Sequence, residues 1–353
     1  MIGARTTPIG LDIGARRVKA AQWTVSRAGA RLTAAACIDR ASPGAAPTAE
    51  EAASLRAVLE RQGFKGSCVV AGAPSSQLVT AVMELPPRSS GAPLDHIARA
   101  ELARTNGLPA GAMEMAWWEL PPGSRAVEGT HVFAVALRHA DADAMLDALE
   151  GGGFEVRALD AGLLALGRLA LRDPSAEAAT GQRQVRGLVD LGATGATIAV
   201  LHGPTLVYQR RLGELGLSAL HERLVATLRI EPDVAALVVS KIGLDAELTE
   251  EQRGWQLLDE ARAAIADYAD AVGSEIKASL TYAARRYASG GTDGVLLAGG
   301  GAESPGVAAR IERAAEAPVR TLAADASHGP ALACAAGLAL WTDAAERRER
   351  QAA

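Results

Sequence analysis

Three glycine-bearing turns, each behind a short apolar run and far apart in the chain, constrain the fold more than any other feature. They are Ile9-Gly10-Leu11-Asp12-Ile13-Gly14 with Lys19 just beyond, Gly187-Leu188-Val189-Asp190-Leu191-Gly192-Ala193-Thr194, and Val295-Leu296-Leu297-Ala298-Gly299-Gly300-Gly301. The first two read as strand, Asp-x-Gly turn and returning strand. The third reads as strand, Gly turn and helix. Glycine at such turns supplies φ > 0 and lets backbone N–H groups approach phosphate oxygens. A carboxylate beside a Gly, on two hairpins, can hold a metal-bound phosphate from both sides. The triple Gly lacks Cβ atoms, so a flat group can lie against it.

At 353 residues and 49% hydrophobic content the chain is too long for one compact core and is expected to form two domains, open to further subdivision. A net charge of −5 with 22% charged residues disfavours non-specific nucleic-acid binding. No run of about 18 uncharged apolar residues is present, so no membrane span is expected. Asp12 and Arg16-Arg17-Lys19 interrupt the only early apolar stretch, which excludes a signal-peptide layout and points to a cytoplasmic protein. Cys37, Cys68 and Cys334 sit among Ala and Val without metal-like spacing and read as buried free thiols. Only Lys19, Lys65, Lys241 and Lys277 among 36 basic residues are lysine. The compact ammonium of Lys19, seven residues after Asp12, suits a phosphate point contact that a guanidinium fork does not replace.

Along the chain, Ile9–Ile13 and Val18–Thr24 form a predicted hairpin, with Arg31–Cys37 a third strand. A helix follows from an N-cap at Thr48, with Glu51 as its capping-box partner, to a stop at Gly63. After an insert of mixed strands and helices, the pattern β-β-β-α-β recurs from residue 187 as a rough internal repeat. The stretch Glu250–Tyr287 reads as a long helix with possible breaks at Gly254 or Gly273. Pro305–Ala315 and the small-residue run Gly329–Trp341 read as helices, the latter able to pack closely on a sheet. Trp117-Trp118 lies on a strand of the insert; alternation turns one ring inward and one outward, so the pair reads as core or as a partner-binding ring.

Two Asp-Gly hairpins, a Gly-Gly-Gly turn and a duplicated α/β half resemble the actin-like ATPase superfamily, an α/β fold of two duplicated halves. Within it the chain resembles the PilM family of type IV pilus assembly, which shares an inserted subdomain with the division protein FtsA. The segments carrying the resemblance are Gly10-Leu11-Asp12-Ile13-Gly14 to Val18-Lys19, Asp160-Ala161 to Ala165-Leu166, Val189-Asp190-Leu191-Gly192-Ala193, Arg211, Glu275-Ile276-Lys277-Ala278-Ser279-Leu280, Ala298-Gly299-Gly300-Gly301-Ala302 and Ala336-Gly337-Leu338-Ala339-Leu340. The resemblance implies a first half of residues 1–80, 156–186 and 326–345, and an inserted subdomain at 81–155. It implies a second half of residues 187–215 and 289–325 with a helical subdomain at 216–288, and a tail at 346–353.

It further implies ATP between the halves. Gly14 and Lys19 would hold the β-phosphate side, Asp12 and Asp190 would position Mg²⁺ through water, Gly192 and Thr194 would approach the γ-phosphate, and Gly299, Gly300 and Gly301 would abut the adenosine. The groove beside the insert resembles a receptor for the cytoplasmic tail of PilN, an inner-membrane protein, which makes the expected protein a cytoplasmic scaffold peripheral to that membrane. Several positions depart from the family pattern. Ala15, Arg16 and Arg17 replace small hydroxyl residues, Ala196 stands where a Thr is expected with Thr197 following, and Glu214-Leu215-Gly216 replaces a Gly-Gly pair. No catalytic base emerges, so weak or absent hydrolysis is expected. Two alternatives stay open: a degenerate scaffold that binds no nucleotide, supported by Arg16, Arg17 and Ala196, and a small-molecule kinase using an acid such as Asp95, Asp141, Asp143 or Asp147.

Overall fold

The computed structural model describes residues 4–123, 128–172, 185–245, 256–287 and 291–342. Its first sheet begins with β1 (Arg5–Thr6), β2 (Ile9–Ile13), β3 (Arg17–Ser26) and β4 (Gly29–Asp39); β2, β3 and β4 form an antiparallel meander, and the short β1 pairs with β3. Helix α1 (Ala49–Arg61) then crosses to β5 (Cys68–Ala73), parallel to β2. The capping of α1 is half as expected. Thr48 accepts from the Glu51 N–H at 3.1 Å, but the Glu51 carboxylate turns to Arg40, at 2.8 and 2.7 Å, instead of closing the box.

The insert follows: β6 (Leu78–Leu85), α2 (Leu94–Thr105), β7 (Met113–Glu119) and β8 (Thr130–Arg138), in a three-stranded antiparallel sheet of order β6-β8-β7. Helix α3 (His139–Gly151) leads back to β9 (Glu155–Ala161), which completes the first sheet parallel to β5, and α4 (Gly162–Ala170) follows.

The second sheet repeats the first. Strands β10 (Val185–Leu191), β11 (Ala196–His202) and β12 (Thr205–Leu212) form the meander, and β13 (Thr292–Ala298) and β14 (Val319–Thr321) add in parallel, giving the order β12-β11-β10-β13-β14. Between them lie α5 (Leu217–Leu228), α6 (Pro232–Leu237) with a π-turn over Val238–Ile242, and the 32-residue α7 (Gln256–Tyr287). Gly254 lies outside the described residues. Gly273 does not break α7: a Cβ there would lie 2.5 Å from that of Ala314, so the glycine permits close packing of α8 (Val307–Ala315).

The last segment is not one helix. A 3₁₀ turn over Pro330–Leu332 precedes α9 (Ala333–Ala339). This helix runs over the first sheet as close as its small residues permit. A Cβ on Gly10 would stand 2.0 Å from the Ala335 carbonyl, and one on Gly337 would stand 2.0 Å from that of Ala165 on α4. Trp23 Nε1 donates to the Ala336 carbonyl at 2.9 Å and fixes the helix lengthwise. Because α9 returns to the first sheet after β14 is complete, the chain crosses twice between the halves.

Candidate functional site

The two meanders present the same local construction. Asp12 on β2 faces Lys19 on β3, and Asp190 on β10 faces Thr197 on β11. Two residues beyond each Asp a glycine N–H donates back across the turn: Gly14 to the Arg17 carbonyl at 3.0 Å, Gly192 to the Gly195 carbonyl at 3.1 Å. Neither glycine has positive φ. What each needs is space, since a Cβ on Gly14 would lie 2.9 Å from the Arg17 carbonyl and one on Gly192 3.1 Å from that of Gly195. At the tips, Ala15-Arg16 and Ala193-Thr194 keep their N–H groups out of backbone hydrogen bonds among the described residues. The carbonyls behind the second tip are engaged: Leu217 donates to Gly192 at 3.1 Å and Ser218 to Ala193 at 2.9 Å, seating the N-terminus of α5 on the turn.

The fold brings the charged residues of both turns together. Lys19 Nζ donates to Asp12 Oδ2 at 3.0 Å, with both groups partly buried. Burial pulls the Lys19 ammonium down, and Asp12 and Asp190 more than reverse this, so its pKa is raised. Burial, and then the charge of Asp12 opposed by that of Lys19, pushes the Asp190 carboxyl up to about 6. Two carboxylates and one ammonium thus share a low-dielectric site, and one carboxylate lacks a cation of its own. Among the described residues no group of three or more His, Cys, Asp and Glu could hold a metal ion. A cation between these carboxylates would therefore complete its shell with phosphate or water oxygens, as a hard divalent ion does.

The third turn contributes unequally. Gly299 adopts φ 84° and ψ 170°, and a Cβ there would stand 2.3 Å from Asp190 Oδ1. Gly301 is pressed on Leu191, 2.7 Å from where its own Cβ would be. Of the three, Gly300 alone faces open space, with nothing within 4 Å of an added Cβ. Gly299 and Gly301 thus place the Asp190 turn, and Gly300 leaves the surface of the loop open.

Three residues join the site without a sequence signal. Tyr268 of α7 is 7% exposed, its hydroxyl has no hydrogen-bond partner among the described residues, and burial followed by the charge of Asp190 raises its pKa. Cys334 is also raised, by burial first and then by Asp12 and Asp190, which makes it an inert thiol beneath the carboxylates. His221 on α5 accepts from Arg16 Nη1 at 3.2 Å across the halves. Arg17 turns away, donating to Asp39 at 2.8 Å. A buried hydroxyl without a partner, open backbone donors at two tips and a cation-poor pair of carboxylates fit a metal-bound polyphosphate.

The other candidates lie elsewhere. Trp117 Nε1 donates to Asp95 at 3.0 Å and packs beside α2. Trp118 stacks on Phe133 at 5.0 Å, and its Nε1 donates to the Leu206 carbonyl of β12 at 2.8 Å. Both rings make internal contacts, and Trp118, together with the 3.1 Å bond between Arg286 and His131, ties the insert to the second half. Asp95 thereby accepts from Trp117, and Asp141 is paired with Arg138 at 2.6 Å.

A family model described as type IV pilus assembly protein PilM matches residues 10–340. No curated protein matches the sequence. Among solved structures, a PilM-PilN type IV pilus biogenesis complex is 21% identical, with a TM-score of 0.72 over 95% of this chain and 98% of the other. Ethanolamine utilization protein EutJ from Carboxydothermus hydrogenoformans is 13% identical, with a TM-score of 0.56 over 97% and 91%. MreB5 of Spiroplasma citri, bound to AMPPNP, is 13% identical, with a TM-score of 0.53 over 99% of each chain. The shared architecture is the actin-like fold.

Proposed function

The chain belongs to the type IV pilus assembly PilM family, and from that premise we propose that it is a nucleotide-binding adaptor which docks the cytoplasmic tail of a PilN-like inner-membrane protein. The observation that carries the nucleotide reading is the convergence of the two Asp turns on one partly buried charge cluster of Asp12, Lys19 and Asp190. In this reading Asp12 and Asp190 hold Mg²⁺ through water, Lys19 and the Gly14 turn meet the β-phosphate, and the turn from Gly192 to Thr194 meets the γ-phosphate. Gly300 lies against the adenosine, with Gly299 and Gly301 behind it. Bound ATP would supply a polyanion touching both halves at once, and the residues here position it. An AMPPNP-bound relative of the same fold supports this reading.

Docking of a tail rests on the likeness to a PilM-PilN complex and on the insert itself. Strand β6 is an edge of the inserted sheet, and Val82 on it is 46% exposed. An edge strand offers backbone partners to an extended segment, and an exposed apolar side chain offers a pocket contact. The protein would work at the cytoplasmic face of the inner membrane through that partner; no described helix is long and apolar enough to cross a membrane. The resemblance places the insert at 81–155, and its sheet begins slightly earlier, at Leu78. Turnover is expected to be slow or absent, since the sequence offers no candidate catalytic base. The test is tail-peptide anisotropy with and without ATP·Mg²⁺, alongside phosphate release. Tail binding weakened at least tenfold by Val82→Asp is expected. Tail binding indifferent to that change, or rapid phosphate release, would contradict the reading.

A further inference from the structure

Arg16 occupies the tip of the first turn at the place Thr194 holds on the second. Both tip residues line one cleft of about 490 Å³, together with Gly44, Ser218, His221 and Glu222. The neighbouring Arg17 is committed to Asp39, opposite it on β4. Arg16 instead reaches over the cleft to His221, and the 3.2 Å bond to Nδ1 is the hydrogen bond its side chain makes among the described residues. A guanidinium carries five N–H donors, so one bond to an imidazole leaves most of the fork for another acceptor. Burial, then the charge of Arg16, lowers the pKa of His221 and keeps that imidazole neutral near pH 7.

A phosphate is the stronger partner. Charge-assisted, bidentate bonds from Arg to phosphate are about twice as strong as those between neutral groups. Lys19 is tied to Asp12 behind the Gly14 turn and meets a phosphate deeper in the site. Arg16, exposed at the tip and beside Thr194, meets the outermost one. We infer that Arg16 binds the terminal phosphate of a nucleoside triphosphate and releases His221 in doing so, which makes the tie between the first turn and α5 depend on the third phosphate. The inference rests on the nucleotide reading above. It also gives the departure from small hydroxyl residues at this turn a purpose, since no hydroxyl could span the cleft to α5.

The test is calorimetric titration of the full chain with Mg²⁺·AMPPNP and Mg²⁺·ADP, for the wild type, Arg16→Ala, Arg16→Lys and His221→Ala, with Asp190→Ala as the site control. Arg16→Ala should weaken AMPPNP binding about 10- to 100-fold, the worth of one hydrogen bond to a charged group, and ADP binding less than about threefold on the same scale. Arg16→Lys should recover part of the loss. His221→Ala should leave AMPPNP affinity unchanged or higher, because it removes a competitor for Arg16. Equal losses for both nucleotides in Arg16→Ala, no loss at all, or weaker AMPPNP binding in His221→Ala would overturn the inference while the nucleotide site stands. Failure of the wild type to bind either nucleotide would overturn both.

Discussion

Replacing Gly299 and Gly300 by alanine, one at a time, separates the part of the Gly-Gly-Gly turn that builds the site from the part that faces a ligand. At Gly299 the backbone sits at φ 84° and ψ 170°, a region essentially reserved for glycine. Forcing another residue there costs about 1–3 kcal/mol. The new Cβ would also stand 2.3 Å from Asp190 Oδ1 and 2.7 Å from the Leu191 carbonyl, so one of these groups must move. Overpacking of this kind adds about 1–3 kcal/mol. The sum is a loss of about 2–6 kcal/mol. At Gly300 an added Cβ meets nothing within 4 Å, and the backbone has no positive φ, so stability should change by less than about 0.5 kcal/mol. Urea denaturation followed by tryptophan fluorescence reads both. With a slope of about 2–3 kcal/mol/M, Gly299→Ala should lower the midpoint by about 0.7 M or more, and Gly300→Ala should leave it in place while weakening ATP binding. Equal midpoints for the two variants would refute the assignment of Gly299 as the residue that seats Asp190.

Further outcomes follow from contacts that support the first turn and the insert. The Arg40 side chain is 3% exposed and donates to both oxygens of Glu51 and to the Ala45 carbonyl at 2.8 Å, so Arg40→Ala should cost about 3–5 kcal/mol by leaving Glu51 and that carbonyl without their partner. The same hydrogen bond holds the Glu51 pKa below its usual value. A depressed carboxylate contributes stability that is complete above its unfolded pKa and is lost as pH falls through the folded one, so wild type should lose stability below about pH 4.5 more steeply than Arg40→Ala; equal acid limbs in urea melts at pH 3 to 6 would contradict this. Trp118→Ala should cost about 3 kcal/mol by removing the stack on Phe133 and the tie to β12, and Trp118→Phe should cost about 1 kcal/mol for the lost hydrogen bond; thermal melts in which neither variant differs from wild type would deny that this ring pins the insert.

Much of this architecture was legible because local signals agreed with the tertiary result. The apolar run before the first Gly turn marks β2, whose limits Ile9–Ile13 match the sequence reading, and Thr48 caps α1 as its position predicts. The pairing of Asp12 with Lys19 was also visible, since seven residues across a tight hairpin place them opposite one another. What was not legible depends on neighbours remote in sequence. Gly273 looks like a helix breaker until α8 is seen against it. Glu51 completes a capping box on paper, but Arg40 captures its carboxylate. Trp118 has an outward face only while β12 is unplaced. Arg16 and Arg17 look alike in the sequence, and Asp39 on β4 and His221 on α5 give them opposite directions. Of the glycines expected to supply positive φ, Gly299 does, while Gly14 and Gly192 serve by leaving room. Tyr268 enters the site from the middle of a long helix, where no motif distinguishes it from core.

The central claim, that the two Asp turns form one nucleotide site, is tested most directly by calorimetric titration of the full chain with ATP and Mg²⁺, beside Asp12→Ala and Asp190→Ala. Saturable one-to-one binding in the wild type, lost in both variants while their folded spectra persist, is the predicted result. A well-folded wild type that takes up no ATP, or binding that survives loss of both carboxylates, would contradict it.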